Sequence, residues 1–170
     1  MIKTFAGLIA AIKEKEPKTI AVAVAQDQEV LAAVSEAYKC GIIKGAVLVG
    51  DEEEIKKTAR QSGIDLTPFE TENTADKEKA CLKTVELIRQ GRASLPMKGF
   101  VDTPLILKAL LDKKSGLTTG KLFSHVGVLS VSGYNRLFIL SDSAMTIAPT
   151  LPEKVQIIQN AVTVAGALGI

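Results

Sequence analysis

Two hydrophobic periods alternate along the chain. Phe5, Leu8, Ile9 and Ile12 recur at helical spacing, and Pro17 ends that helix. Thr19 to Ala25, TIAVAVA, is a short uncharged run of the kind buried on both faces of a parallel sheet. Asp27 can cap the next helix, DQEVLAAVSEAYKC, which Gly41 stops. GAVLVG, Gly45 to Gly50, predicts a second buried strand, and the charged helix after it runs from Asp51 to Gly63. A weak strand is expected around Thr67 to Thr71, then a helix from about Asn73 to Gly91. PMKGF reads as a loop before a helix over Thr103 to Lys114. KLFSHVGVLSV and RLFILSD, separated by Ser132 to Asn135, predict a β-hairpin. The last helix is expected from about Leu151 to Leu168, with Thr150 and Glu153 at capping-box spacing.

This order predicts an α/β fold: a mainly parallel sheet with helices on both faces in three layers, plus a β-hairpin. The expected division is an N-terminal α/β domain over 1–115, and the hairpin and last helix over 116–170 as the start of a second domain. An alternating fold would place a strand after the last helix. Its absence is compatible with a fragment or with a terminal helix docked on the sheet.

Composition narrows the classes. The 170 residues are 46% hydrophobic and 24% charged, as in one ordinary globular chain with a core. A net charge of +2 argues neither for nor against nucleic acid, but the lack of an arginine-rich stripe, the 4% aromatics and the absence of Trp argue against a nucleic-acid surface. No apolar run is long enough for a membrane-spanning helix, and the N-terminal segment reads as an amphipathic helix rather than a signal peptide. Cys40 and Cys81 are expected as two buried free thiols in a reducing cytosol.

Candidate chemistry gathers in few places. GLTTGK, Gly116 to Lys121, fails as a P-loop in spacing and context and reads as a turn. The turn at Gly50 carries Asp51 and three glutamates, which complement the helix dipole themselves and repel a phosphate. PMKGFVDTP places Lys98, Gly99 and Thr103 before a helix, with Lys108 one turn further on. Either this is a capped helix after a turn, or the cations, the bare Gly99 backbone and the helix N-terminus hold an anion. Asp102 weighs against the anion. His125 has no metal ligand at suitable spacing and reads as a hydrogen-bonded sheet residue, since adjacent Ser124 points to the opposite face. Asp142 either satisfies loop amides or faces a ligand crevice at a strand end.

PMKGFVDTPLILKALLDKKSGL, SHVGV and GYNRLFILSDSAMTIAPTLPEKVQIIQNAV together resemble the phosphate acetyl/butyryltransferase family. The resemblance implies interconversion of a short-chain acyl-CoA plus phosphate with acyl phosphate plus CoA. It implies CoA as substrate, no metal or redox cofactor, small-molecule partners, a cytoplasmic setting and a homo-oligomer. Lys98, Gly99 and Thr103 match the loop facing phosphate or acyl phosphate. Lys108 stands where relatives often have arginine, and Asp102 where they often have histidine. Asp142 and Ala144 match an Asp-x-Ala pattern, and Thr146 replaces its usual asparagine. Family members run to about 300 residues, a length suited to two domains. The catalytic base is therefore expected beyond Ile170, and the chain alone is expected to be inactive. The alternative is a non-catalytic CoA- or phosphate-binding module.

Overall fold

The computed structural model describes residues 1–143 and 145–170, which form two compact units, Glu16–Thr118 and Met1–Lys15 with Thr119–Ile170. The first is a parallel four-stranded sheet with helices on both faces. Its strands are β1 (Lys18–Ala23), β2 (Ile43–Gly50), β3 (Glu70–Asn73) and β4 (Leu95–Lys98), in the order β3-β2-β1-β4. Its helices are α2 (Gln28–Lys39), α3 (Glu52–Ser62), α4 (Lys77–Arg89) and α5 (Thr103–Leu110); α1 (Phe5–Lys13) precedes the sheet and belongs to the second unit.

Alternate residues of the uncharged central strands feed two cores. Ala21, Ala23, Val47 and Val49 pack with Ala80, Val85 and Leu87 of α4 and Ile106 and Ala109 of α5. Ile20, Val22, Ala46 and Leu48 pack with Leu31 and Val34 of α2 and Ile55 and Ala59 of α3 on the opposite face. Three layers follow, as the period-two burial of a doubly covered sheet requires.

Aspartates open three of these helices. Asp27 accepts from the Val30 amide, Asp51 from Glu53 and Glu54, and Asp76 from Lys79. Gly63 closes α3 in the left-handed conformation at φ 65°.

Several boundaries differ from the sequence expectation. Residues 95–98 are not loop but strand: β4 pairs parallel with β1 from Ile20↔Leu95 to Ala23↔Lys98. Pro96 is tolerated because β4 lies at the sheet edge, where one ladder needs no donor. The weak strand falls at 70–73 rather than 67–71, so α4 starts only at Lys77; Asn73 ends β3 and its side chain caps the Glu52 amide at 3.2 Å. Helix α5 stops at Leu110, short of Lys114. The Asp112 carboxylate draws the Lys114 and Ser115 amides, at 2.9 and 2.7 Å, into a competing turn.

The second unit contains α1, the antiparallel pair β5 (Val126–Ser130) and β6 (Leu137–Ser141), and α6 (Leu151–Ala167). The Ile2 amide donates to Leu168 O at 2.8 Å, so the N-terminal helix groups with the last helix rather than with the sheet after it. The division 1–115 and 116–170 thus differs from the compact units by α1 and by three residues at the junction. Strand β5 is shorter than the apolar run 121–131. Before it, Leu122 is held by α6 side chains, its amide by Gln156 at 2.8 Å and its carbonyl by Asn160 at 3.1 Å. Helix α6 begins with the expected reciprocal pair, Glu153 accepting from the Thr150 amide at 2.7 Å.

Candidate functional site

The carboxyl ends of the parallel strands are where a doubly wound sheet binds ligands, at the point where strand order reverses. Here that point is between β1 and β4, since β1 connects outward to β2 and the later crossover returns to the other side. Lys98 is the last residue of β4 and lies opposite Ala23 of β1.

Gly99 follows, and its lack of a side chain has a packing cause. A Cβ there would collide with the carbonyl oxygens of Ala23 and Val24. The Gly99 and Phe100 amides already donate to those two carbonyls, at 2.9 and 2.8 Å. Val24 is buried and holds φ 57°, a conformation that a β-branched residue rarely adopts. The β4–α5 turn is thereby clamped onto the end of β1.

The Lys98 ammonium contacts Gly99 O at 3.4 Å and has no carboxylate within ion-pair distance among the described residues. Lys108 differs: it is exposed and pairs with Glu78 of α4 at 2.6 Å, which raises its pKa above the ordinary lysine value. Thr103 opens α5 behind Asp102, whose carboxylate makes no capping hydrogen bond. Pro104 has no amide to offer, and the Leu105 amide turns back to Asp102 O at 3.0 Å. Asp102, Thr103 and Lys108 line one open depression of about 570 Å³. Lys98 and Gly99 are not among its lining residues.

The turn at Gly50 is closed by the protein itself. The Glu53 and Glu54 amides donate to Asp51 and the Glu52 amide to Asn73, so the first turn of α3 is capped by side chains. A further cavity of about 680 Å³ lies along α4 between Thr74, Lys83, Arg89 and Ser115, and contains none of the residues singled out from sequence.

Asp142 and Thr146 fall in the other compact unit. Asp142 Oδ1 accepts the His125 amide at 3.1 Å and the Met145 amide at 3.2 Å, fastening the end of β6 to the residue before β5. His125 is hydrogen bonded but lies just before β5 rather than within the sheet; its Nδ1 lies 2.7 Å from Ser143 Oγ, a contact eighteen residues apart that no local pattern reveals. Ser124 instead receives the Asn160 side chain at 2.8 Å. Ala144 lies outside the described residues. Thr146 is half-buried in the segment leading to α6.

The thiols differ from the expected buried pair. Cys81 is buried, and desolvation followed by the nearby Glu78 charge pushes its thiol up. Cys40 is exposed because it caps the C-terminus of α2. Among the described residues no cluster of His, Cys, Asp and Glu is placed to hold a metal, and no helix is long and apolar enough to cross a membrane.

A three-layer, doubly wound parallel sheet with helices on both faces defines an α/β protein, with Lys98 at its switch point. The chain belongs to the Phosphate acetyl/butaryl transferase family, whose model matches residues 4–85 and 72–170. It is 47% identical over all 170 residues to a phosphate butyryltransferase of Clostridium acetobutylicum and 45% identical to that of Clostridium beijerinckii, covering 56% of each. It therefore spans a little over half the length of these relatives. Among solved structures, a branched-chain phosphotransacylase from Enterococcus faecalis superposes with TM-score 0.69 at 25% identity, over 89% of this chain and 52% of that one. A phosphotransacetylase from Streptococcus pyogenes shares the fold, with TM-score 0.81 at 18% identity over 98% of this chain and 60% of that one.

Proposed function

We propose that this chain supplies the phosphate-side contacts of an acyltransferase that interconverts butyryl-CoA, or a similar short-chain acyl-CoA, and phosphate with acyl phosphate and CoA. The family match along the whole chain supports this reading. The observation that carries it is Lys98, a cation with no carboxylate partner among the described residues, at the switch point of a parallel sheet.

In this reaction a phosphate oxygen attacks the thioester carbonyl. The new C–O bond forms, the C–S bond breaks, and the CoA sulfur leaves with a proton. In reverse the thiol must lose that proton, since little thiolate exists near neutral pH. Lys98 holds the phosphate charge and Thr103 offers its hydroxyl. Gly99 acts indirectly, by clamping the turn that carries Lys98. Lys108 contributes less, because it must first leave Glu78. Asp142 and Thr146 are assigned to the ligand crevice of the second unit, which we read as the start of a second domain. No residue of this chain is assigned as the base. We place the base outside these 170 residues, a reading supported by relatives nearly twice as long. The setting is cytoplasmic and the assembly a homo-oligomer, with CoA as substrate and no further cofactor, nucleic acid or membrane.

Titration calorimetry with inorganic phosphate and a thiol-release assay with butyryl-CoA test the two parts separately. Lys98→Ala is expected to weaken phosphate binding about tenfold or more, as loss of a charge-assisted hydrogen bond does, and Lys108→Ala by less than about threefold. Thiol release by the chain alone is expected to stay at background. Equal phosphate binding by wild type and Lys98→Ala overturns the assignment of Lys98. Sustained turnover overturns the placement of the base.

A further inference from the structure

Strand β3 runs parallel to the rest of the sheet and ends at Asn73, and α4 starts soon after it at Lys77. The first turn of α4 therefore lies at the carboxyl edge of the sheet, where Lys98 ends β4. Two side chains tie that turn to its neighbours. Glu78 pairs with Lys108 of α5 at 2.6 Å. The Lys77 ammonium lies over the Phe100 ring, 5.1 Å from its centroid, which is within cation–π range. Phe100 is fixed at its backbone, because its amide donates to Val24 O at 2.8 Å, yet it is 61% exposed. Gly99 O, on the same peptide group as that amide, is the Lys98 contact at 3.4 Å. Two ammonium groups from different elements thus border the Gly99–Phe100 segment.

We propose that Lys77 is a second phosphate-binding cation of this turn, positioned by the ring of Phe100. The proposal rests on the reading of Lys98 as a phosphate contact and adds the residue that completes it.

Charge carries the argument. An acyl phosphate, like other phosphate monoesters, bears about two negative charges near pH 7. Lys108 is neutralised by Glu78, and Asp102 opposes Lys98, so these groups together supply no net positive charge. Lys77 does. Among the described residues no carboxylate lies within ion-pair distance of it. The adjacent Asp76 carboxylate is turned to the α4 amides, accepting from Lys79 at 2.8 Å. An exposed cation–π contact is weak, so it orients the flexible ammonium without competing strongly with an anion. The charge-assisted pair that detains Lys108 competes far more. Lys77 touches the phosphate in this arrangement, and Phe100 acts through Lys77.

Calorimetry of the 170-residue chain with inorganic phosphate tests the proposal. Lys77→Gln is expected to weaken binding about threefold or more and to flatten its salt dependence, because one exposed charge leaves the site. Lys77→Arg should restore binding, since a guanidinium also stacks on an aromatic face. Phe100→Leu keeps apolar bulk and removes the ring; it should weaken binding about twofold, whereas Phe100→Tyr should not. Lys83→Gln, on the same helix and paired with Glu86 at 3.3 Å, removes an equal charge and should leave binding unchanged. Circular dichroism should be the same for all of these variants. Weakening by Lys98→Ala with no effect of Lys77→Gln overturns the inference and leaves the reading of Lys98 standing. Equal weakening by Lys77→Gln and Lys83→Gln also overturns it, since net charge alone then explains the loss. No phosphate binding by the wild-type chain overturns both readings together.

Discussion

At the scale of single residues, backbone contact decides what Gly99 does. A methyl group there would press on two carbonyl oxygens, of Ala23 and Val24, that already accept the Gly99 and Phe100 amides. Gly99→Ala is therefore expected to cost about 1–3 kcal/mol, as overpacking does, measured by urea unfolding. Asp112 gives a prediction with pH. Its hydrogen bonds from the Ser115 amide, the Ser115 hydroxyl and the Lys114 amide hold its pKa down at about 2, below the ordinary 3.8. A depressed carboxylate stabilises the folded state above its ordinary value, and that contribution is lost as pH falls toward the folded value. The stability difference between wild type and Asp112→Ala should thus be full at pH 7 and shrink between about pH 4 and 2; a difference constant with pH would contradict the assignment. Sequence reading singled out Lys98 and Lys108 equally. What separates them is Glu78, thirty residues before Lys108 and visible only after folding. It also gave Gly99 a ligand-facing purpose, because the carbonyls of Ala23 and Val24 lie far away along the chain.

Among elements, helices were legible because their start signals are local. Asp27, Asp51 and the Thr150–Glu153 pair cap where their positions imply. Strand β4 was not, since four residues containing a proline become a strand only when β1 offers its edge. Helix α5 is shorter than LILKALLDKK implies, because that run continues the helical period while the Asp112 carboxylate takes the Lys114 and Ser115 amides into a turn. Helix α4 separates packing from surface within one element. Leu87 is fully buried in the core between sheet and helix, and Leu82 is exposed. Leu87→Ala should cost about 2–5 kcal/mol and Leu82→Ala less than about 0.5 kcal/mol in the same unfolding measurement.

For the molecule as a whole, the alternating elements announced a layered parallel sheet, and the structure has one. The partition of the chain was harder to read, because the bond from Ile2 to Leu168 joins opposite ends of the sequence. Residues Glu16–Thr118 contain both cores of the sheet. Produced alone, that segment should unfold in one cooperative transition by circular dichroism; a broad, non-cooperative melt would show that it depends on the remainder. The unlike settings of the two cysteines have a practical consequence. A maleimide dye should attach at Cys40 within minutes and leave Cys81 untouched while α4 stays seated on the sheet. The slow second labelling event then becomes a clock for the opening of that layer, readable by mass spectrometry in the native protein.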